Sequence, residues 1–225
     1  MRRHGWRQNS GGTMAPQLLP RAFYLRETEE VARTLLGCLL VRRTGREELR
    51  VVIVETEAYL GIADRAAHTW NGRRTPRVLP MWGDAGHAYV YKIYGLHSCL
   101  NVVTREEGIP EAVLIRAAVP ERWWRGEAAA RHELLEVSGP GRLCRSLGID
   151  VSLSGASLSG PDLEVRRGPR RAFEVLRGPR VGVDYAGEAA AWPLRFAVAD
   201  CPAVTARRSL HRLPAFGKPG EPPSR

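Results

Sequence analysis

Two carboxylates on one predicted strand are the residues of this chain best suited to chemistry. Glu55 and Glu57 end a run of β-branched residues at positions 51–54, and Tyr59 follows two positions later. Such a run is typical of a β-strand, whose side chains alternate between two faces. Both glutamates and Tyr59 should therefore share one face with apolar residues. Carboxylates on an apolar face are costly to bury without a partner or a purpose, so this strand is a candidate for acid–base chemistry.

A cluster of tyrosines follows this strand in the sequence. Residues 89–95 read Tyr-Val-Tyr-Lys-Ile-Tyr-Gly, and residues 98–103 read Ser-Cys-Leu-Asn-Val-Val. Gly95 stands where a turn is needed, which predicts a β-hairpin with Tyr94 near its tip. Aromatic faces stack nucleobases and basic surfaces hold phosphates. A carboxylate and several tyrosines in a basic chain therefore favour nucleic-acid chemistry.

The charge balance of the chain is strongly basic. Among 225 residues, 34 are Lys or Arg and 24 are Asp or Glu, which gives a net charge of +10. Such an excess favours a polyanion or an anionic membrane surface as a partner. An arginine-rich proteome would produce the same excess, because lysine occurs only at Lys92 and Lys218. The length and the 44% hydrophobic content are those of one globular domain.

Membrane and redox signals in the sequence favour a location inside the cell. The sequence has no run of about 18 apolar residues, as a membrane span requires, and no apolar signal-peptide core. Its four cysteines are widely spaced without a C-x-x-C pair, which is typical of reduced cytosolic thiols and does not favour a zinc site. We expect no membrane association, and a cytoplasmic, nucleoid-associated location in a bacterium or a nuclear one in a eukaryote.

A helix and a long loop flank the carboxylate strand in the prediction. The helix is expected to begin with Thr28 as its N-cap and to stop at Gly37. Residues 61–86 are interrupted by Gly, Pro and charged residues and should form a long loop. Long loops in compact domains are usually functional, so we expect this loop to contribute to the site.

The remaining elements complete a mixed α/β domain, expected over residues 21–206 between flexible tails at 1–20 and 207–225. In chain order the predicted elements are strands at 38–43, 49–59, 113–116, 181–183 and 194–198, a helix at 123–136, and a short helix that Pro140 opens and Gly148 ends.

Five segments, in this order, resemble the alkyladenine (3-methyladenine) DNA glycosylase family. They are Glu-Thr-Glu-Ala-Tyr at 55–59, Ala-Ala-His at 66–68, Arg-Thr-Pro-Arg at 74–77, the tyrosine strand at 89–95 and Cys-Leu-Asn-Val-Val at 99–103. Further matches at 35–37, 138–144 and 179–183 extend the resemblance over residues 21–206. Several linked motifs in one order are far more specific than any single pattern.

The resemblance implies a fold and a reaction. The fold would be a single domain with a curved, mostly antiparallel sheet flanked by helices. The reaction would be hydrolysis of the N-glycosidic bond of alkylated or deaminated purines, among them 3-methyladenine, 7-methylguanine, hypoxanthine and ethenoadenine. The partner would be double-stranded DNA that contains such purines. The enzyme would need no metal or organic cofactor. We also expect a monomer that releases the base without cutting the strand, because strand cutting needs an amine, usually of lysine, and the sequence has only two lysines.

The same resemblance implies two catalytic residues. Cleavage of an N-glycosidic bond needs a carboxylate that activates water and balances developing positive charge, and Glu57 takes this position. Arg116 aligns with a family residue that positions the water and the carboxylate. The alternatives are a structural ion pair for Glu57 and a plain surface residue for Arg116. Glu55 is expected to order arginines behind the site.

Four further residues match positions that handle the flipped base. A base inside a duplex must be rotated out before an enzyme can reach it. Tyr59, His68 and Tyr91 match the residues that sandwich the flipped base, and Tyr94 matches the wedge that fills the vacated space. The alternative is core packing for each tyrosine and a structural hydrogen bond for His68. We favour core packing only for Tyr89.

Asn101 lies on an otherwise apolar predicted strand, where a buried amide needs partners. The resemblance assigns it a steric role against the exocyclic amine of normal guanine, and the alternative is an asparagine that bonds to the backbone. Three departures from the family pattern lie in the loop beside the pocket and concern substrate preference: Val78, Trp82 and Ala85.

Two other functions stay open at this stage. Glu55 and Glu57 could be the carboxylate pair of a glycoside hydrolase, since that chemistry passes through a similar transition state, although the basic charge argues against a neutral sugar polymer. Alternatively, the tyrosines could stack bases in a non-catalytic nucleic-acid-binding module in which Glu57 is structural.

Overall fold

A computed structural model describes residues 16–212 of the chain. Within these residues nine strands form one sheet, and every strand pair in it is antiparallel. The predicted single mixed α/β domain with a mostly antiparallel sheet is confirmed. The strands are β1 (Leu39–Thr44), β2 (Glu47–Tyr59), β3 (Ala88–Ile93), β4 (His97–Thr104), β5 (Glu111–Pro120), β6 (Leu163–Arg166), β7 (Val175–Gly178), β8 (Arg195–Val198) and β9 (His211–Arg212).

Strand β2 is the centre of the sheet. One of its edges pairs with β5 along residues 51–59, while the other edge pairs with β1 along 47–52 and with β8 along 55–57. The sheet continues as β3-β4-β5 on one side and as β8-β7-β9 on the other, and β6 pairs with β1. Residues 51–58 of β2 are all buried, so this strand carries its two glutamates through the interior.

The predicted face of β2 is confirmed. Glu55 and Glu57 both contact the guanidinium of Arg116, whereas the hydroxyl of Thr56 between them donates to the carbonyl of Ala32 on a helix. The alternation of side chains along the strand therefore puts both carboxylates on one side of the sheet and the helix on the other.

Five short α-helices lie among the described residues and pack around the sheet. The second packs on β2, and the fifth packs on β4 and β5. The fifth begins at a proline and ends at Gly148 in the left-handed region, as predicted. The helices are α1 (Arg21–Tyr24), α2 (Thr28–Thr34), α3 (Glu121–Trp124), α4 (Arg131–Glu136) and α5 (Pro140–Leu147). None of the helices in this part of the chain is long and apolar enough to cross a membrane.

Thr28 is not the N-cap of α2, so that prediction is wrong. Glu27 occupies the cap position, and Thr28 is the first residue of the helix. The Thr28 side chain is buried and contacts the hydroxyl of Thr104 and the carboxylate of Glu111. Its hydroxyl thus ties the helix to the sheet, where the sequence pattern indicated a local cap.

Two other element predictions are also wrong. The single helix expected at 123–136 is interrupted between α3 and α4, and Gly126 there has a φ of +97°, which helices do not adopt. The strand expected at 181–183 is a bend. The strand nearest before it is β7, which was not among the predicted elements.

Residues beyond both boundaries expected for the domain are in contact with the sheet. Leu19 is buried and donates its backbone N–H to Val165, and Arg212 pairs with Leu176 of β7. The predicted flexible tails otherwise fall on residues 1–15 and 213–225, which lie outside the described part. All four cysteines are free and buried.

Gly86 lies so close to the ring of Tyr24 that a side chain at this position would disturb the packing. Its φ is +80°, and a Cβ there would lie 2.9 Å from a ring carbon of the buried Tyr24. We expect Gly86→Ala to lower the free energy of unfolding by about 1–3 kcal/mol, through backbone strain and overpacking, as measured by denaturant titration. Gly83→Ala in the same loop is the control, because Gly83 has a φ of −84° and a Cβ there would make only an ordinary contact, 3.5 Å from the backbone oxygen of Pro80. Equal stability of the two variants would contradict this account.

Candidate active site

Four adjacent strands bring the candidate residues into one row. Tyr89 of β3 pairs with Asn101 of β4, Asn101 pairs with Leu114 of β5, and Leu114 pairs with Glu57 of β2. Because paired residues in a sheet point to the same face, the side chains of this row lie side by side. Tyr91 is two positions further along β3 and therefore points to that face as well, while the next residue, Lys92, lies on the other face and is exposed.

Glu57 is a buried carboxylate held by three donors. Its Oε1 accepts from the backbone N–H of Val181 at 2.8 Å and lies 3.2 Å from Nη1 of Arg116. Its Oε2 accepts from the hydroxyl of Tyr59 at 2.9 Å. A carboxylate can accept about four hydrogen bonds, so Oε2 keeps capacity for a further donor such as water. These contacts orient the carboxylate and stabilise its negative charge.

Glu55 anchors two arginines behind Glu57. Its Oε1 accepts from Nε of Arg116 at 2.9 Å and from Nε of Arg195 at 2.8 Å. The backbone N–H of Thr205 donates to Oε2 at 2.9 Å, and the hydroxyl of Thr205 also contacts both oxygens. Glu55 therefore orders arginines, as expected, and both of its oxygens are fully engaged.

Arg116 bridges the two carboxylates from β5. It is almost completely buried and binds Glu55 through Nε and Glu57 through Nη1. Burial alone lowers the pKa of a guanidinium, but the charges of Glu57 and Glu55 outweigh it, so the pKa of Arg116 is raised. It is thus a fixed cation beside Glu57, which rules out the plain surface arginine considered as its alternative.

An aromatic group stands beside the carboxylate. The rings of His68 and Tyr91 meet edge to face with centroids 4.5 Å apart, and Tyr89 stacks on Tyr91 at 5.4 Å. Tyr59 and Tyr91 both have raised pKa values, chiefly because of burial and in part because of Glu57. Both phenols therefore keep their protons, and the Tyr59 hydroxyl is a permanent donor to Glu57.

His68 is a neutral imidazole in this setting. Burial and the nearby charges of Arg77 and Arg73 lower its pKa to about 4. Its Nδ1 lies 2.8 Å from the hydroxyl of Tyr89, which is buried as the core-packing interpretation expected. The structural hydrogen bond considered for His68 is therefore present, and it fixes the ring against Tyr91.

Asn101 and Tyr94 differ sharply in exposure. Asn101 is buried, and its side-chain amide donates to the backbone oxygen of Tyr89 at 3.0 Å, which fixes its position in the row that contains Glu57. Tyr94 is 92% exposed at the predicted hairpin turn and has a φ of +51°. A positive φ is unfavourable for a tyrosine, so the turn holds an apolar ring in solvent at a conformational cost.

The three departures in the loop have different surroundings. Val78 and Ala85 are buried in the core. Trp82 is partly exposed, donates its indole N–H to the backbone of Arg73 and lies under the guanidinium of Arg74 at 3.9 Å. Of the three departures, Trp82 is the one positioned to order basic residues of the loop.

Several residues of the site escaped sequence reasoning. The backbone N–H of Val181 carries no side-chain signal, and it lies 124 residues from its acceptor Glu57. Arg195 and Thr205 are also far from Glu55 in the sequence. The buried Arg180 is likewise far in the sequence from its partner Asp64. The segment Pro-Arg-Val-Gly-Val at 179–183 was identified only as part of the family resemblance.

The comparisons with known proteins identify relatives of this chain. A family profile described as methylpurine-DNA glycosylase matches residues 22–202. The chain is similar to proteins named as candidate 3-methyladenine DNA glycosylases. One from Desulfitobacterium hafniense is 46% identical over 200 residues, which cover 84% of this chain and 98% of the relative. One from Bdellovibrio bacteriovorus is 46% identical, covering 81% and 96%, and one from Methanocella arvoryzae is 46% identical, covering 84% and 96%.

These matches and the site define the class of protein: a DNA glycosylase, a hydrolase of N-glycosyl bonds that acts on DNA in repair. The match covers most of the chain, and within this class the chain belongs to the methylpurine-DNA glycosylase family.

The lowered pKa of His68 makes stability depend on pH. Between pH 6.5 and about 4 the unfolded chain binds a proton at this residue and the folded chain does not, so the free energy of unfolding falls as the pH falls through this range. The contribution is at most about 1.4 kcal/mol per pH unit. We expect the free energy of unfolding of His68→Gln to fall less steeply with decreasing pH than that of the wild type, as measured by denaturant titrations at pH 4 to 7. Parallel curves for the two proteins would contradict a neutral buried imidazole.

Proposed function

We propose that this enzyme hydrolyses the N-glycosidic bond of alkylated or deaminated purines in duplex DNA, with Glu57 as the residue that activates water. The substrate range would include 3-methyladenine, 7-methylguanine, hypoxanthine and ethenoadenine. The observation that carries the proposal is the buried Glu57, held by Arg116, Tyr59 and Val181 beside an aromatic group.

In the proposed reaction the bond between C1′ of the sugar and the purine nitrogen breaks, and the electron pair leaves with the base. Positive charge develops on the sugar, and the Glu57 carboxylate stabilises it. A water bound at Oε2 of Glu57 adds its oxygen to C1′ while the carboxylate takes its proton. Arg116 holds the carboxylate and the water in line through its contacts to both glutamates.

The aromatic residues would receive the base outside the duplex. Tyr59, His68 and Tyr91 present flat or neutral surfaces next to Glu57, and stacking on aromatic rings suits purines. Tyr94 is supported as the wedge by its 92% exposure on a turn, where an aromatic ring can enter the base stack. Asn101 would crowd the exocyclic amine of guanine, because its amide is fixed in the same row as Glu57.

The two rival functions lack support in the contacts. A glycoside hydrolase needs a second carboxyl group free to act, but both oxygens of Glu55 are engaged by two arginines and Thr205. A non-catalytic binding module does not account for the three donors on Glu57 beside the aromatic group. The family membership favours release of a purine base from DNA over both rival functions.

Three further parts of the proposal concern the setting of the enzyme. We propose that it acts as a monomer on damaged duplex DNA, and that it works in the cytoplasm with the nucleoid. The charge of +10 suits contact with DNA phosphates. Within the proposed mechanism all groups that handle the base and the water come from one chain.

Base release without strand cleavage is the expected activity. Enzymes that also nick the strand use an amine, usually of lysine, to form a Schiff base with the sugar. Lys92 is exposed on β3, and its neighbour Tyr91 occupies the pocket face. The other lysine of the sequence, Lys218, lies outside the described residues.

We expect a duplex with one hypoxanthine or ethenoadenine to stay intact until alkali is added, and borohydride to trap no covalent adduct. A trapped adduct that disappears in Lys92→Ala would overturn the role of water. A duplex that stays intact even after alkali would overturn the proposed function.

Removal of the charge of Glu57 should stop the reaction. Glu57→Gln keeps the shape of the side chain but cannot take a proton from water, so we expect a single-turnover rate at least ~10²–10⁴-fold lower. Binding to the same duplex should persist, because Glu57 lies beneath the surface. Glu48→Gln, on the same strand but part-exposed at the far end, is the matched control and should react at the wild-type rate. Normal base release by Glu57→Gln would assign the base role to another residue.

A further inference from the structure

We propose that the buried ion pair between Asp64 and Arg180 is a positioning device that sets the Val181 amide on Glu57 and aligns the two walls of the base pocket. This inference rests on the proposed function, and it gives a role to two residues that take no part in the chemistry described above.

The pair itself is bidentate and fully enclosed. Nη1 and Nη2 of Arg180 donate to the two carboxylate oxygens of Asp64 at 2.5 and 2.9 Å, and both side chains are 0% exposed. The two residues lie 116 positions apart in the sequence. The pair thus joins the start of the loop at 61–86 to the segment that follows β7.

Arg180 fixes the backbone next to the catalytic carboxylate. Its Nη1 also donates to the carbonyl oxygen of Ala58 at 2.9 Å, and its guanidinium lies over the Tyr59 ring, 4.8 Å from the centroid. Ala58 and Tyr59 directly follow Glu57 on β2, and Val181 directly follows Arg180. The arginine therefore holds two stretches of chain together at the point where the Val181 N–H meets Oε1 of Glu57 at 2.8 Å.

Asp64 fixes the other wall of the pocket. Besides Arg180, its carboxylate accepts the backbone N–H of Leu60 at 3.0 Å and that of Ala66 at 3.0 Å. These bonds shape the turn between Tyr59, which ends β2, and His68, two residues after Ala66. Two of the three residues proposed to sandwich the base, Tyr59 and His68, thus lie in segments held by the same carboxylate.

The chemistry of the pair favours positioning over stability. A buried ion pair is weak evidence of stabilisation, because desolvation of two charges offsets their attraction. Arg180 also keeps a buried Nε with no hydrogen-bond partner among residues 16–212, a further unfavourable contribution. What the pair supplies is directional: a planar fork that matches a carboxylate and a carbonyl oxygen at once, which a lysine cannot reproduce.

Arg180→Lys tests the inference by keeping the charge and removing the fork. We expect a single-turnover rate of base release about 10²-fold lower, the size of effect that a displacement near 1 Å produces, with little change in binding to a duplex that contains an abasic site. The acid limb of the pH–rate profile should move to higher pH, because the ionised Glu57 is deprived of a well-aligned N–H donor. Arg50→Lys is the matched control, since Arg50 is a mostly buried arginine of β2 that binds Glu121 away from the site, and its rate and acid limb should equal those of the wild type.

Hydrogen exchange at the Val181 amide supplies a readout that does not depend on activity. Exchange should be faster in Arg180→Lys and in Asp64→Asn than in the wild type or Arg50→Lys. If Arg180→Lys does not fold, Asp64→Asn decides, because it keeps the shape and the acceptor oxygen of Asp64. A folded variant of the pair with the wild-type rate, acid limb and exchange would overturn the inference, as would an equal loss in Arg50→Lys. If the wild type itself releases no base, the proposed function fails, and the exchange of the Val181 amide alone decides the positioning claim.

Discussion

The arrangement of this enzyme depends on one buried cation, Arg116, between two buried carboxylates. Glu55 and Glu57 are both completely buried on the central strand, and neither would be tolerable there without a compensating charge. Arg116 supplies that charge from the neighbouring strand, and Arg195 adds a second cation on Glu55. Both oxygens of Glu55 are occupied by the arginines and Thr205, whereas among residues 16–212 Oε2 of Glu57 accepts only from Tyr59 and can accept a further donor. The two similar carboxylates therefore differ in their capacity for further hydrogen bonds, because their partners differ.

The sheet makes this charge cluster possible. Strand β2 pairs with β5 along one edge and with β1 and β8 in succession along the other. It therefore has neighbours on both sides where the glutamates lie, and residues from β5, β8 and the segment after β7 all reach them. The row from Tyr89 through Asn101 to Glu57 adds the aromatic group from the hairpin side. An interior position on a wide antiparallel sheet thus supplies both the dry surroundings and the donors.

Much of this arrangement could be predicted from the sequence, and the reasons for the rest are physical. The faces of β2, the hairpin with Tyr94 at its turn and the short helix before Gly148 follow from alternation and from glycine geometry, which are local rules. The prediction of Thr28 as an N-cap was wrong because tertiary contacts overrode local preference. The prediction of one helix at 123–136 was wrong because a glycine with positive φ interrupts it. The Val181 amide, the hydroxyl of Thr205 and the Asp64–Arg180 pair depend on residues more than 100 positions apart, and no local pattern encodes such contacts.

The distance in sequence between these partners has a consequence for synthesis of the protein on the ribosome. Glu55 and Glu57 leave the ribosome early, but their donors Val181, Arg195 and Thr205 are among the last residues of the described domain to be made. Domains generally fold as units, and non-local pairing waits for the segments that take part in it. A nascent chain that ends before these residues lacks the donors that hold Glu55 and Glu57, so the two carboxylates become oriented only when the last strands of the domain have been made.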